Sequence, residues 1–117
     1  MLEEKAKDLG RLIGQSPEYQ ALKRSSEALN EDRDAVALLQ QMEKLRGEAQ
    51  QLIQRGENPT PEMEQQLDSM LEKIQSQPPY QRAVVAQENF DKLMLRVNEW
   101  IMDGMKKGSA SPIITLT

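Results

Sequence analysis

The sequence contains no cysteine and no histidine among its 117 residues. Without thiolates or imidazoles the chain cannot form disulfides, build a zinc finger or hold an iron–sulfur cluster on cysteines. It also lacks the side chain that most often acts as a general base near neutral pH. We therefore expect a protein that is not an enzyme and that has no catalytic residue, no cofactor and no metal.

Aromatic residues, basic character and long apolar runs are also scarce. The chain has one tryptophan, one phenylalanine and two tyrosines against seven methionines, a composition that favours helices over sheets. Its net charge is −4 and its basic residues are scattered, which disfavours direct binding of nucleic acid. No run approaches the ~18 apolar residues of a membrane-spanning helix, and the first ten residues have no apolar signal core. We expect a cytoplasmic protein without membrane contact.

Two groups of polar residues could be either chemical sites or ordinary surface residues. Glu64, Asp68 and Glu72 are spaced four apart on one predicted helix and could form a carboxylate metal site. Such sites in helical bundles normally add a Glu-x-x-His motif, which this chain cannot supply, so a solvated acidic face is favoured. Ser25 and Ser26 have no base beside them to make either a nucleophile.

Apolar periodicity and helix-boundary residues predict five helices. Their predicted ranges are 2–14, 17–29, 33–55, 61–75 and 79–107. Ser16, Asp32 and Thr60 are expected to cap the second, third and fourth helices, and Gly56 to end the third. Asn30 is expected to close the second helix in the left-handed conformation. The fold class is all-α, with two short N-terminal helices followed by a long antiparallel helical hairpin or bundle.

The domain organisation follows from a change of composition near the C-terminus. Residues 1–108 are expected to form a single helical domain. Residues 109–117 are expected to form a non-helical tail, because Ser-Ala-Ser-Pro is followed by the β-prone run Ile-Ile-Thr-Leu-Thr. The tail is either disordered or docked as an extended strand on a neighbour.

The third and fifth predicted helices carry the strongest apolar seams. The third has a strict heptad-like seam, and the fifth has two overlapping seams that span roughly 140° of its surface. The third-helix seam comprises Ala35, Leu38, Met42, Leu45, Ala49 and Leu52. The candidate interface on the fifth comprises Phe90, Leu93, Met94, Val97, Trp100, Ile101 and Met105. Because the first two helices are too short to cover the long ones, we expect a homo-oligomer, with a dimer as the commonest arrangement.

Three residues on the fifth helix leave alternatives open. Trp100 lies at the outer edge of the apolar arc and is either an interface anchor or part of the intramolecular core. Val84 and Val85 lie outside the arc and meet either the fourth helix or a partner.

The segment KAKDLGRLIGQSPEYQALKRSSEAL resembles the N-terminal part of the bacterial YlbF/YmcA/YheA proteins. The positions that carry the resemblance are Leu9, Ile13, Ser16, Pro17, Tyr19 and Leu22, followed later by Pro78, Tyr80, Ala83, Phe90 and Leu93. It extends over about residues 2–107. These are helix-boundary and core positions, so they are more specific for fold than for function.

The resemblance implies an all-α helical-hairpin fold that forms dimers or higher oligomers. For the YlbF and YmcA branches it also implies a regulatory protein complex that assists an endoribonuclease in mRNA maturation, with effects on competence, sporulation and biofilm formation. Some members bind iron–sulfur clusters through C-terminal cysteines. This chain has no cysteine, so that property does not transfer, and the cysteine-free YheA-like branch is the closer comparison.

Three functional hypotheses remain. The leading one is a non-enzymatic regulator or adaptor that binds an unidentified protein partner through helical surfaces and is linked to an RNA-processing regulatory complex. The second is a structural module that only associates with itself. The third is a helical protein that binds an apolar ligand between its seams.

Overall fold

The computed structural model describes residues 1–110 and contains five α-helices in that range, with no strand. The helices are α1 (Leu2–Gly14), α2 (Pro17–Glu31), α3 (Arg33–Gln54), α4 (Pro61–Gln75) and α5 (Pro78–Ser109). The predicted all-α class is confirmed. Most of the predicted tail, residues 111–117, lies outside the described residues, so its conformation stays a prediction.

The starts of α2, α3 and α4 are fixed by the capping residues that the sequence indicates. The Ser16 hydroxyl accepts a hydrogen bond from the backbone N–H of Tyr19 at 3.1 Å. The Asp32 carboxylate accepts one from Ala35 at 3.0 Å, and the Thr60 hydroxyl accepts one from Met63 at 3.2 Å. Each bond satisfies one of the N–H groups that the first turn of a helix leaves unpaired. The three predicted caps are confirmed.

Four helix ends differ from expectation, and one of them is the end of α3, which lies one residue early, at Gln54. Asn30 does not close α2, which continues to Glu31, and no residue other than glycine has a positive φ within residues 1–110. The physical reason is that Asp32, in an extended conformation, both ends α2 and caps α3, so no left-handed residue is required. Helix α5 begins one residue earlier than predicted and ends two residues later, at Ser109. Gly56 has a φ of +81° and ends α3 as expected.

The helices form two antiparallel pairs joined end to end. α3 packs against α4 and α2 packs against α5, whereas the two long helices α3 and α5 barely contact each other. The pairs meet where Asp32 links α2 to α3 and where Ser76 and Gln77 link α4 to α5. This pairing lets each long helix lie against a shorter one, so each long helix has a portion without a neighbour.

The core is small and is concentrated at the junction between the two pairs. The buried apolar side chains of the described chain are Ala35, Met42, Leu45, Ile74, Ala86 and Val97. Ala35, Met42 and Ile74 form one cluster, and within residues 1–110 Ile74 is the only large side chain that is fully buried. Half-buried apolar residues surround this cluster: Leu29, Leu38, Leu39, Met70, Leu71 and Tyr80. Every member of the predicted α3 seam is buried or half-buried, which confirms its orientation.

The molecule is long and thin. Its Cα radius of gyration is 21.5 Å and its extents are 66 × 37 × 19 Å, whereas a compact domain of this length has a radius of gyration of about 13 Å. Its accessible surface is 9488 Å², whereas a compact 13.3 kDa monomer exposes about 6,500 Å². A single copy therefore leaves an unusually large area uncovered.

Candidate interaction surface

The first half of the predicted α5 interface faces α2 within the same chain. Phe90, Leu93 and Met94 are half-buried and Val97 is buried. The Phe90 ring meets the Tyr19 ring edge-on, with centroids 5.7 Å apart and an interplanar angle of 60°. Such edge-to-face pairs stabilise beyond the area they bury. These residues are thus part of the intramolecular core between α2 and α5.

The second half of that interface has no neighbour in the chain. Trp100 is 62% exposed, Ile101 44% and Met105 67%. Helix α5 is about 48 Å long and α2 only about 22 Å, and Pro17 at the start of α2 lies beside Leu93 and Arg96. Because α2 does not reach further along α5, the apolar stripe of α5 continues beyond its cover. The described structure thus leaves Trp100 outside the intramolecular core.

Two further apolar residues belong to this surface and were not included in the predicted set. Leu95 and Met102 are also exposed, on the side of α5 opposite Trp100. We call Leu95, Trp100, Ile101, Met102 and Met105 the terminal patch. On a helical wheel the patch spans roughly 220°, and the only polar side chains inside it are Asn98 and Ser109. Placing every apolar residue of α5 on the wheel, rather than only those that fit a seam, would have found both.

The charged residues of this part of α5 occupy the remaining sector. Arg96, Glu99, Asp103, Lys106 and Lys107 fall within roughly 100° of the wheel. An apolar arc of more than half the circumference is too wide for a helix that packs on one neighbour. The terminal patch therefore has room for two additional helices.

Helix α1 carries a second apolar stripe, which is only partly covered. Leu2, Ala6, Leu9 and Ile13 line one side of this helix and Leu12 lies next to them. Leu12 is 66% exposed and Leu2 still more, while Leu9 and Ile13 are only half-buried. α1 contacts α2 and barely touches α5. Two exposed ion pairs, Lys7 with Glu3 at 2.9 Å and Arg11 with Asp8, lie on its polar side.

The remaining surface grooves are shallow. One of about 310 Å³ lies between α2 and α5 and is lined partly by charged side chains, Glu18, Lys92 and Arg96. Another of about 300 Å³ lies beside Tyr80, Val84 and Val85. Val84 and Val85 are exposed, so α4 does not bury them. These two grooves are at the lower limit of the volume that small-molecule sites usually have. A wider groove of about 540 Å³ lies along α4, but mainly polar side chains line it, among them Glu62, Gln65 and Lys73.

The acidic column of α4 is fully accessible to water. Glu64, Asp68 and Glu72 are all exposed, and no group of three potential metal ligands comes together within residues 1–110. In the same range, none of the helices combines the length and the apolar character that crossing a bilayer requires. The prominent features of the described surface are therefore the terminal patch and the α1 stripe.

Comparison with known proteins identifies the relatives of this chain. Residues 2–106 match the family model described as control of competence regulator ComK, YlbF/YmcA. A UPF0342 protein of Streptococcus gordonii is 38% identical over 71 residues, which cover 61% of this chain and 63% of that protein. The matched segment thus spans less than two thirds of that relative's length.

Other relatives show longer matches. A UPF0342 protein of Streptococcus mutans is 35% identical over 83 residues, covering 71% of this chain and 74% of the relative. A UPF0342 protein of Desulfitobacterium hafniense is 30% identical over 95 residues, covering 81% and 72%. The family match includes all of α1 to α4 and nearly all of α5. The chain belongs to the YlbF/YmcA family, whose model carries the description control of competence regulator ComK.

Proposed function

We propose that this protein is a non-enzymatic regulatory adaptor that works as a homodimer in the cytoplasm and binds another protein through its helical surfaces. The observation that carries the proposal is the terminal patch, because apolar surface of this extent on a soluble chain marks a protein contact. Tryptophan is also the residue that most often dominates binding energy at such contacts. The family description, control of a competence regulator, supports a regulatory role. A complex that processes RNA is the setting we propose for that role.

The alternatives are less well supported. A module that only associates with itself would use the same patch, but it would give no reason for the family's regulatory description. Apolar-ligand binding would require an enclosed apolar cavity. The described residues form shallow grooves between helices instead, and charged side chains line part of one of them.

Affinity isolation from the native cell with the full chain tests the adaptor role. Wild type is compared with Ile101→Asp, which places a charge in the terminal patch, and with Ile53→Asp, an equally apolar residue that is 55% exposed at the far end of α3. We expect a reproducible protein partner with wild type and Ile53→Asp and its loss with Ile101→Asp. The candidate partner must then bind purified protein directly. If no partner is reproducibly retained, the adaptor role is wrong and a purely self-associating module is favoured.

A further inference from the structure

We propose that the terminal patch and the α1 stripe are the two sides of one self-association surface, in which each α5 end packs against both α1 and α5 of a second copy. This inference rests on the homodimer of the proposed function and adds which segments form the contact. It assigns a second copy as the occupant of the patch, so the protein partner of the proposed function binds another surface of the dimer, and Ile101→Asp releases that partner by dissociating the dimer. It also predicts that the α3–α4 pair stays outside the contact.

The apolar arc on α5 is too wide to be covered by a single helix of a second copy. A helix that packs on one neighbour needs an apolar sector of little more than 100°, and the terminal patch spans roughly 220°. One α5 from a second copy would cover only part of it, so a further helix is required. Apart from α5, the helix of the described chain whose apolar side is most exposed is α1. The α5 helix of the same copy does not cover that side.

The apolar area of the two segments is large enough for a stable interface between two copies. The seven exposed large residues of the two segments are Leu2, Leu12, Leu95, Trp100, Ile101, Met102 and Met105. At about 100 Å² each they supply roughly 700 Å² per copy, or about 1,400 Å² in a symmetric pair. That total lies within the range of stable specific interfaces. The surface in excess of a compact monomer, roughly 2,000 to 3,000 Å² per copy, is also sufficient.

The polar residues of both segments agree with this arrangement. The charges of the α5 end lie in one sector away from the patch. The ion pairs of α1 likewise lie on its polar side, away from Leu2 and Leu9. On the α1 wheel Lys5 falls between Leu12 and Leu9, so its aliphatic stem packs in the contact while its ammonium group reaches water. No charge then has to be buried, which would be costly.

Light scattering on the purified full chain, over a range of concentrations, tests the proposal. Wild type is expected at twice 13.3 kDa. Leu12→Asp on α1 and Ile101→Asp on α5 are each expected to raise the dimer dissociation constant about 100-fold. Ile53→Asp, with matched chemistry and exposure on α3, is expected to leave it unchanged. All three positions are exposed in the single chain, and circular dichroism verifies that the variants keep their helix content.

The fluorescence of Trp100, the single tryptophan of the chain, supplies an independent readout. Its emission is expected to shift to longer wavelength when wild type is diluted into monomers, because the ring is then exposed to water. Leu12→Asp is expected to produce the same shift without dilution, since α1 of the second copy covers the ring. Ile53→Asp is expected to retain the emission of wild type.

Three results would overturn the proposal. A wild-type mass of 13.3 kDa at all concentrations would exclude self-association altogether. A dimer that Ile101→Asp dissociates but Leu12→Asp does not would exclude α1 from the contact. A dimer that Ile53→Asp disrupts as strongly as Ile101→Asp would place the contact on the α3–α4 pair. None of these readouts depends on a heterologous partner, so the adaptor role can succeed or fail separately.

Discussion

Replacing Ile74 by alanine is expected to lower the free energy of unfolding by about 3 kcal/mol. Ile74 is 0% exposed and lies at the centre of the cluster where the two helix pairs meet. The change removes three buried carbon groups at about 0.8 kcal/mol each, and the cavity left behind adds to the loss, within the 2–5 kcal/mol range of such substitutions. The half-buried residues around Ile74 have room to relax into the space, which places the effect in the lower half of that range.

Ile53→Ala is a closely matched control. Ile53 is the penultimate residue of α3 and Ile74 is the penultimate residue of α4. The carbonyl of each accepts a hydrogen bond from the backbone N–H three residues later, at 3.0 and 3.1 Å respectively. Helix propensity therefore changes equally at the two sites. Since Ile53 is 55% exposed, its replacement is expected to change stability by less than about 0.5 kcal/mol.

Urea unfolding followed by far-UV circular dichroism measures the difference. At about 1.5 to 2 kcal/mol per molar urea, the loss at Ile74 corresponds to a fall in midpoint of roughly 1.5 to 2 M relative to wild type. Protein concentration must be the same for all variants, because the stability of a self-associating chain depends on it. If Ile74→Ala and Ile53→Ala unfold at the same midpoint, the junction cluster is not the centre of the core and the reasoning is wrong.

Three further stability predictions concern a helix cap and two glycines. Asp32→Ala should cost about 1 to 2 kcal/mol, because Asp32 ends α2 and caps α3; a urea midpoint equal to that of wild type would show that the cap contributes nothing. Gly56→Ala should lower the free energy of unfolding by about 1 kcal/mol, because Gly56 has a φ of +81°. Gly47→Ala should raise it by about 0.5 to 1 kcal/mol, because Gly47 lies inside α3 with open space around the new methyl group. Thermal unfolding that moves both glycine variants in the same direction would contradict this assignment.

The helices were predictable because local chemistry sets their ends. Serine, aspartate and threonine are strongly preferred at the N-cap of a helix. Ser16, Asp32 and Thr60 each precede an amphipathic segment, and all three cap a helix in the structure. Asn30, which was expected to close α2, has a weaker local preference. Asp32 overrides it by ending one helix and starting the next. Boundaries with strong capping chemistry can thus be predicted from sequence, and ambiguous ones need the structure.

The pairing of the helices could not be predicted in the same way. The α3 seam has the same spacing whether α4, α5 or another copy covers it, because periodicity records which side of a helix is apolar and not what it contacts. In the structure α4 covers this seam, through Met70 and Ile74. As a consequence α5 has only α2 as its main neighbour. A 15-residue helix cannot cover a 32-residue one.

The difference between the two halves of α5 explains why Trp100 was ambiguous in the sequence. Val97 and Trp100 are only three residues apart and belong to one continuous apolar arc, yet Val97 is 4% exposed and Trp100 62%. The boundary between them is set by where α2 begins, at Pro17, and α2 is more than 65 residues earlier in the chain. A change in α2 that extended it by one or two turns would bury Trp100 without altering α5. The uncovered surface therefore depends on the relative lengths of α2 and α5. It cannot be predicted from the apolar pattern of α5 alone.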